Sequence, residues 1–353
     1  MKKFACDQCG QQVFFQNDLC ESCRAPLAFD ASQLSVVALT PSDDAFVLQS
    51  HPARRGWRCK NYEPAGCNWL ADDNDGFCPA CRHNRTIPDL SIAANLPRWR
   101  AFEAAKRRLF YGLLRFGLPL KTRGEDAEHG LAFDCIDDET LANGDKRRVM
   151  TGHDNGIITI ALSEADPALR EQTRVTLGET YRTLLGHLRH EIGHYYWDLL
   201  VAGDAERLAR FRALFGDEQI DYGEALARHY SEGPPPDWNT RFITPYASSH
   251  PWEDFAESWQ HYMHIVDALE TASAFSVGVD QSRPTAPVAD PYGAYDAKAM
   301  ALAWTPLTIA LNSMNRSMGL PDLYPFVLTA PAIAKLAFVG EIIGALRSRA
   351  VAG

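Results

Sequence analysis

Three groups of side chains in this sequence have the types and spacing to do chemistry. The first is His190-Glu-Ile-Gly-His194. On a helix, residues four apart return to nearly the same face, so both imidazoles can meet one metal ion. Glu191 stands beside them, where a carboxylate can take a proton from water activated by that metal. This is the HExxH pattern of a zinc hydrolase, and the residues around it read as helix from Glu179 to Val201. The pattern leaves room for a third protein ligand and an open fourth position, which a catalytic zinc needs.

The third ligand is expected in His250-Pro-Trp-Glu-Asp-Phe-Ala-Glu-Ser-Trp259. Pro251 suits a first helical position, opening a helix to about Ala274. Glu253 and Glu257 are four apart and share a face. Glu253 is the expected ligand and Glu257 the carboxylate that holds a ligand histidine in its tautomer. Asp254 is the next choice, and an acidic first turn favoured by the helix dipole is the bland reading. Trp197 and Leu200 stand where a metzincin would carry Gly and His, so that class is excluded. His187 lies about two turns, roughly 10 Å, from His194 and cannot share its ion, leaving it a neighbouring, supporting group. Tyr246 and His250 precede the second helix, where either can donate a hydrogen bond to a developing oxyanion.

The remaining group is the cysteines, nine in all. Cys6, Cys9, Cys20 and Cys23 form two CxxC knuckles with Gly10 at the turn. Cys59 and Cys67 are a looser pair, followed by the Cys78–Cys81 knuckle. Four thiolates close a tetrahedron, so these are expected to be two structural zinc sites without an open position for substrate. Sequence alone leaves their pairing open. Cys135 falls in a strand-like run and reads as a buried small apolar residue.

These groups must be positioned by ordinary elements. At about 150 residues per domain, 353 residues give two or three domains. With 46% hydrophobic and 23% charged residues the composition is that of a globular chain, and a net charge of −10 argues against a broad nucleic-acid coat. The start, MKKFACDQCG, lacks the apolar run of a secretory signal. The longest apolar stretch, Phe326 to Leu346, is broken by Pro331, Lys335 and Glu341 and is no membrane span. Paired cysteines without export favour metal over disulfides and a cytoplasmic location. Residues 1–90 are turn-rich and expected to fold around metal with little core of their own. Pro97 opens a helix over 98–116, and 130–136 and 156–162 are the best strands. Helices are expected over 204–215 and 222–230, a Pro- and Gly-rich loop over 280–295, and two or three more helices after it.

The motifs Gly186-His-Leu-Arg-His-Glu-Ile-Gly-His-Tyr-Tyr-Trp197, Tyr246-Ala and Trp252-Glu-Asp-Phe-Ala-Glu257 resemble the gluzincin side of the zincin metallopeptidases, near the anthrax lethal factor and Pro-Pro endopeptidase group. That resemblance implies Glu253 as zinc ligand, Glu257 as support for a ligand histidine and Tyr246 as an oxyanion donor. Over nearly its full length the chain resembles a bacterial family of "putative zinc-binding metallopeptidases" with an N-terminal zinc ribbon. Arg107-Arg-Leu, Thr151-Gly-His, Gly156-Ile-Ile-Thr-Ile160, Phe215-Gly-Asp217 and Gly233-Pro-Pro carry it. One departure from the wider zincins is the long insert between ligand helices, 59 positions from His194 to Glu253.

The expected fold is α+β: a mostly helical, zincin-like catalytic domain with a small sheet, preceded by four-cysteine zinc ribbons. The expected divisions are 1–35, 36–90, 91–275 and 276–353. The expected function is zinc-dependent peptide hydrolysis with one catalytic and two structural zincs. The partner is a peptide or protein substrate, with the strand 156–162 pairing to an extended peptide. The alternative is a non-catalytic zinc protein whose ribbons bind protein or nucleic acid. Arg98, Arg100, Lys106, Arg107, Arg108 and Arg115 supply its basic helix, whose bland reading is a solvated face. Oligomeric state is not encoded in any motif.

Overall fold

A computed structural model describes residues 1–74, 76–140, 146–147, 149–277, 290–293 and 296–352. Most of the expected loop over 280–295 lies outside them. Two compact units make up the chain, Met1–Arg115 with Pro119–Thr173, and Phe116–Leu118 with Arg174–Gly353. The chain is α+β.

In the first unit, β1 (Phe4–Ala5) and β2 (Gln12–Val13) flank the first knuckle. Gly10 turns it with φ +77 and donates its N–H to the Cys6 carbonyl. β3 (Leu27–Asp30), β4 (Ser35–Ser42), β5 (Ala45–Leu48), β6 (His51–Arg58) and β7 (Leu70–Ala71) form one antiparallel sheet in chain order. Ala28, Val37, Leu39, Leu48 and Leu70 build a core on it, with Phe46 packed against them. This segment therefore has an apolar core besides its metal sites, contrary to the sequence expectation. Strand β3 reaches β4 across the expected division at residue 35.

A short helix, α1 (Tyr62–Ala65), bridges Cys59 and Cys67 and ends at Gly66, φ +60. The Cys78–Cys81 knuckle runs through a 3-10 turn, Cys81–His83, into β8 (Asn84–Thr86), and α2 (Asn95–Phe116) follows. Then come β9 (Ala132–Ile136), the antiparallel pair β10 (Glu139–Thr140) and β11 (Lys146–Arg147), β12 (Gly152–Asp154) and β13 (Ile157–Ala161). The second sheet has the order β12-β13-β9-β8, with β13 parallel to β9 and β9 parallel to β8. Both sides of β13 are thus occupied, one by β12 and one by β9. This corrects the expectation for residues 156–162: a strand whose main-chain groups are already paired has none left for a peptide.

Four of the six cations of α2 are engaged within this unit. Arg98 bonds Asp166 at 2.8 Å, Arg100 donates to the carbonyls of Glu63 and Pro64, and Arg107 donates to that of Gly66. Lys106 is buried against Glu103 at 2.7 Å. An arginine whose N–H groups are committed to carbonyls and carboxylates offers fewer to phosphate, which disfavours the basic-helix alternative. The solvated face is corrected as well, because Lys106 and Arg107 are buried.

α3 (Pro167–Thr176) leads into the second unit. There α4 (Leu184–Trp197) starts five residues later than the expected Glu179. Thr183 is extended and its hydroxyl accepts the Gly186 N–H at 3.0 Å, a cap that stabilises a helix start by about 1 kcal/mol. A π-turn over Asp198–Ala202 follows. α5 (Ala205–Phe215) is capped by Asp204, and α6 (Tyr222–Glu232) by Asp221. After α7 (Trp238–Arg241), a 3-10 turn over Tyr246–Ser248 precedes α8 (Pro251–Phe275). α9 (Ala297–Ser317) and α10 (Ala330–Ala352) close the chain. Among the described residues, no helix is long and apolar enough to cross a membrane.

Candidate metal centre

Helices α4 and α8 pack directly on each other. Gly193 permits this: a Cβ there would meet Ala256 Cα at 3.0 Å and Trp259 Cβ at 3.1 Å. Tyr196 stacks on Trp259 at 5.1 Å, and Arg189 bonds Asp267 at 2.6 Å, fixing rotation and slide of the pair. His190 and His194 on one helix are thereby brought to Glu253 on the other.

Three ligand atoms converge. His190 Nε2 lies 3.2 Å from His194 Nε2 and 2.9 Å from Glu253 Oε2, and His194 Nε2 lies 3.5 Å from that oxygen. A tetrahedral zinc with bonds of about 2.0–2.1 Å holds its nitrogen and oxygen ligands about 3.3 Å apart. The observed edges bracket that value, and the donor set is one that zinc accepts. All three residues are buried.

The surrounding groups orient these three. Glu257 Oε1 accepts from His190 Nδ1 at 2.8 Å, which leaves Nε2 facing His194 and Glu253 with its lone pair free for a metal. Glu257 Oε2 accepts the Thr244 hydroxyl at 2.7 Å, and the same hydroxyl oxygen accepts the Ala247 N–H at 3.0 Å. Glu253 Oε1 accepts the Tyr222 phenol at 2.7 Å. Burial works against charge on Glu253, but the two imidazoles outweigh it and hold the carboxyl well below its usual range. Burial likewise opposes charge on Glu257, and the hydrogen bond from His190 overrides it.

Glu191 differs from both. It is 8% exposed, yet its carboxylate makes no hydrogen bond or ion pair among the described residues. Its charge is felt by the phenols of Tyr222 and Tyr246. Tyr246 sits 5.9 Å from His190, ring to ring, and burial followed by the charge of Glu253 raises its phenol well above the usual range. That phenol stays protonated and able to donate.

The other expected site residues fall elsewhere. His250 caps α8, its Nδ1 accepting the Trp252 N–H at 3.1 Å while Nε2 donates to the Ile220 carbonyl at 3.1 Å. Both nitrogens are committed to backbone, so it is a structural cap that also packs on Tyr222. Half-buried His187 is not one of the converging three. Asp254 points away, to Lys335 of α10 at 2.5 Å; burial raises its carboxyl to about 7 despite that partner. Sequence reasoning does not single out Tyr222 or Thr244. Tyr222 looks like any aromatic at a helix start, and Thr244 lies in an irregular loop.

The cysteines separate into the two expected quartets, Cys6, Cys9, Cys20, Cys23 and Cys59, Cys67, Cys78, Cys81. A tetrahedral zinc with bonds to sulfur of about 2.3 Å sets sulfurs about 3.8 Å apart. Cys6–Cys23 and Cys9–Cys20 are each 3.7 Å apart, and Cys67 lies 3.6 and 3.8 Å from Cys78 and Cys81. The second quartet is wholly buried, whereas Cys9 of the first is exposed. Cys135 is buried in β9, and burial pushes its thiol up to about 12.

Residues 95–342 match a family described as "Putative zinc-binding metallo-peptidase". The chain belongs to that family. In this chain, residues 3–92 match a zinc-ribbon domain, which with the cysteine quartets supports zinc as the metal. The family matches divide the chain between residues 92 and 95, while β8–β9 pairing and the 3.5 Å approach of Cys81 to Glu103 carry packing across that point. Uncharacterized proteins of Mycobacterium bovis and Mycobacterium tuberculosis are 41% identical to this chain over 345 residues, 97% of its length and 95% of theirs. No solved structure matches it.

Proposed function

We propose that this protein is a metallopeptidase that hydrolyses peptide bonds at a gluzincin-type zinc site made by His190, His194 and Glu253, with Glu191 as general base. The observation that carries this is the convergence of three buried ligand atoms at tetrahedral edges beside a carboxylate that, among the described residues, makes no hydrogen bond or ion pair. Bound zinc supplies a Lewis acid and water acidic enough to be deprotonated near neutrality. Glu191 accepts a proton from the attacking water and returns it to the leaving amine. Tyr246 donates a hydrogen bond to the carbonyl oxygen as it gains negative charge. Glu257 holds His190 in the tautomer this needs. The two quartets hold structural zinc, for a total of three ions. A silent, purely structural role for the site is disfavoured, since such a site has no use for Glu191.

Metal analysis tests the ligand set. The purified chain is expected to carry three zincs and His190→Ala two. A wild-type count of two, or an unchanged count in the variant, would refute the assignment. Thr244→Val keeps the side-chain volume and removes the hydroxyl. Losing such a supporting bond costs about 10–100-fold in metal affinity or activity. Competition against a chromogenic chelator and peptide turnover read the effect, and wild-type values for both would dismiss Thr244.

A further inference from the structure

The two oxygens of Glu253 have different partners. Oε2 faces His190 Nε2 at 2.9 Å and His194 Nε2 at 3.5 Å, while Oε1 accepts the Tyr222 phenol at 2.7 Å. A carboxylate can bind a metal through one oxygen or both. With a second oxygen bound, the position that a catalytic zinc must keep open would be filled.

Tyr222 is held in place from several sides. It opens α6 directly after the capping residue Asp221, whose carboxylate accepts the Glu224 N–H at 2.8 Å. Its ring stands edge-on to His250 at 5.3 Å and to Trp252 at 6.0 Å. His250 is itself locked by Ile220 O and Trp252 N, so the surface supporting the phenol does not depend on metal.

We infer that Tyr222 is a positioning residue that occupies Oε1 and keeps Glu253 a one-oxygen ligand, so that one coordination position stays open. This rests on the reading that His190, His194 and Glu253 hold zinc. It gives a function to the long segment between the two ligand helices: it returns a phenol to the back of the third ligand.

The experiment uses the full chain with the ribbon zincs in place. Dipicolinate strips the metal held by histidine and glutamate, and Co²⁺ replaces it as a visible probe of coordination number. Tyr222→Phe retains the ring and removes the hydroxyl, and its thermal unfolding is compared with wild type to show that it folds. The variant is expected to bind Co²⁺ about as tightly as wild type. Its d–d absorption should weaken as coordination rises above four, and kcat should fall at least about tenfold with little change in KM. An unchanged spectrum and kcat would overturn the inference. So would outright loss of Co²⁺ binding, which would make Tyr222 a support for affinity and not for coordination number. If wild type takes up no Co²⁺, or His190→Ala takes up as much, the zinc-site reading fails and this inference with it.

Discussion

Glu191→Gln is expected to lower peptide hydrolysis by about 10²–10⁴-fold while leaving the zinc content of the purified chain unchanged. At about 1.36 kcal/mol per tenfold, that is roughly 3–5 kcal/mol of transition-state stabilisation. The separation of the two readouts follows from where the carboxylates are spent. Glu253 and Glu257 each use both oxygens, on an imidazole and on a hydroxyl. Glu191 has no such commitment among the described residues, so an amide in its place takes no bond from a ligand. Glutamine keeps the shape but cannot accept the proton. Turnover equal to wild type in a peptide-library assay would end the general-base assignment, and a drop in zinc content would make Glu191 part of the metal-holding structure.

The second large effect concerns the ribbons. Cys78→Ser is expected to destabilise the first unit far more than Cys9→Ser, although each removes one thiolate from one quartet. Structural zinc contributes up to about 10–16 kcal/mol in small zinc domains near neutrality. How much of that reaches the fold depends on what leans on the site. Cys78 is fully buried, its quartet is threaded by α1, and Cys81 meets the buried pair Glu103 and Lys106 of α2. Losing that zinc leaves polar thiols and a buried charge pair without their organiser. Cys9 is exposed, and the apolar core of Ala28, Val37, Leu39, Leu48 and Leu70 remains when its zinc goes. Calorimetry with metal analysis distinguishes the cases. Each variant should lack one zinc, with a large loss of unfolding temperature or of soluble protein only for Cys78→Ser. Equal destabilisation would show that burial does not set the difference.

Much of the site is legible in the sequence because its signals are local. The His190–His194 and Glu253–Glu257 spacings follow from 3.6 residues per turn, and the CxxC knuckles from ligand geometry. The rest depends on contacts between distant parts of the chain. Nothing in the residues near Tyr222 shows that its hydroxyl returns to Glu253, nor near Thr244 that it braces Glu257 from an irregular loop. The second sheet illustrates the same limit: residues 156–162 read correctly as a strand, but only the pairing with β12 and β9 shows that neither side is open. α4 begins five residues after its expected start, because a helix-compatible composition over 179–183 loses to one hydroxyl cap. His250 carries an ambiguous signal, since a histidine before a proline-led helix suits a cap as well as an active site.

Gly193 bears on the size of ion that the proposed centre would accept. This glycine lies on α4 between His190 and His194, so the separation of α4 from α8 bears on how far the two imidazoles sit from Glu253. A methyl group there would press on Ala256 and Trp259 and push the helices apart by a few tenths of an ångström. Hydrogen on that Cα therefore acts as a calibrated spacer. On the proposed zinc reading, a wider gap would favour larger divalent cations with longer bonds to oxygen.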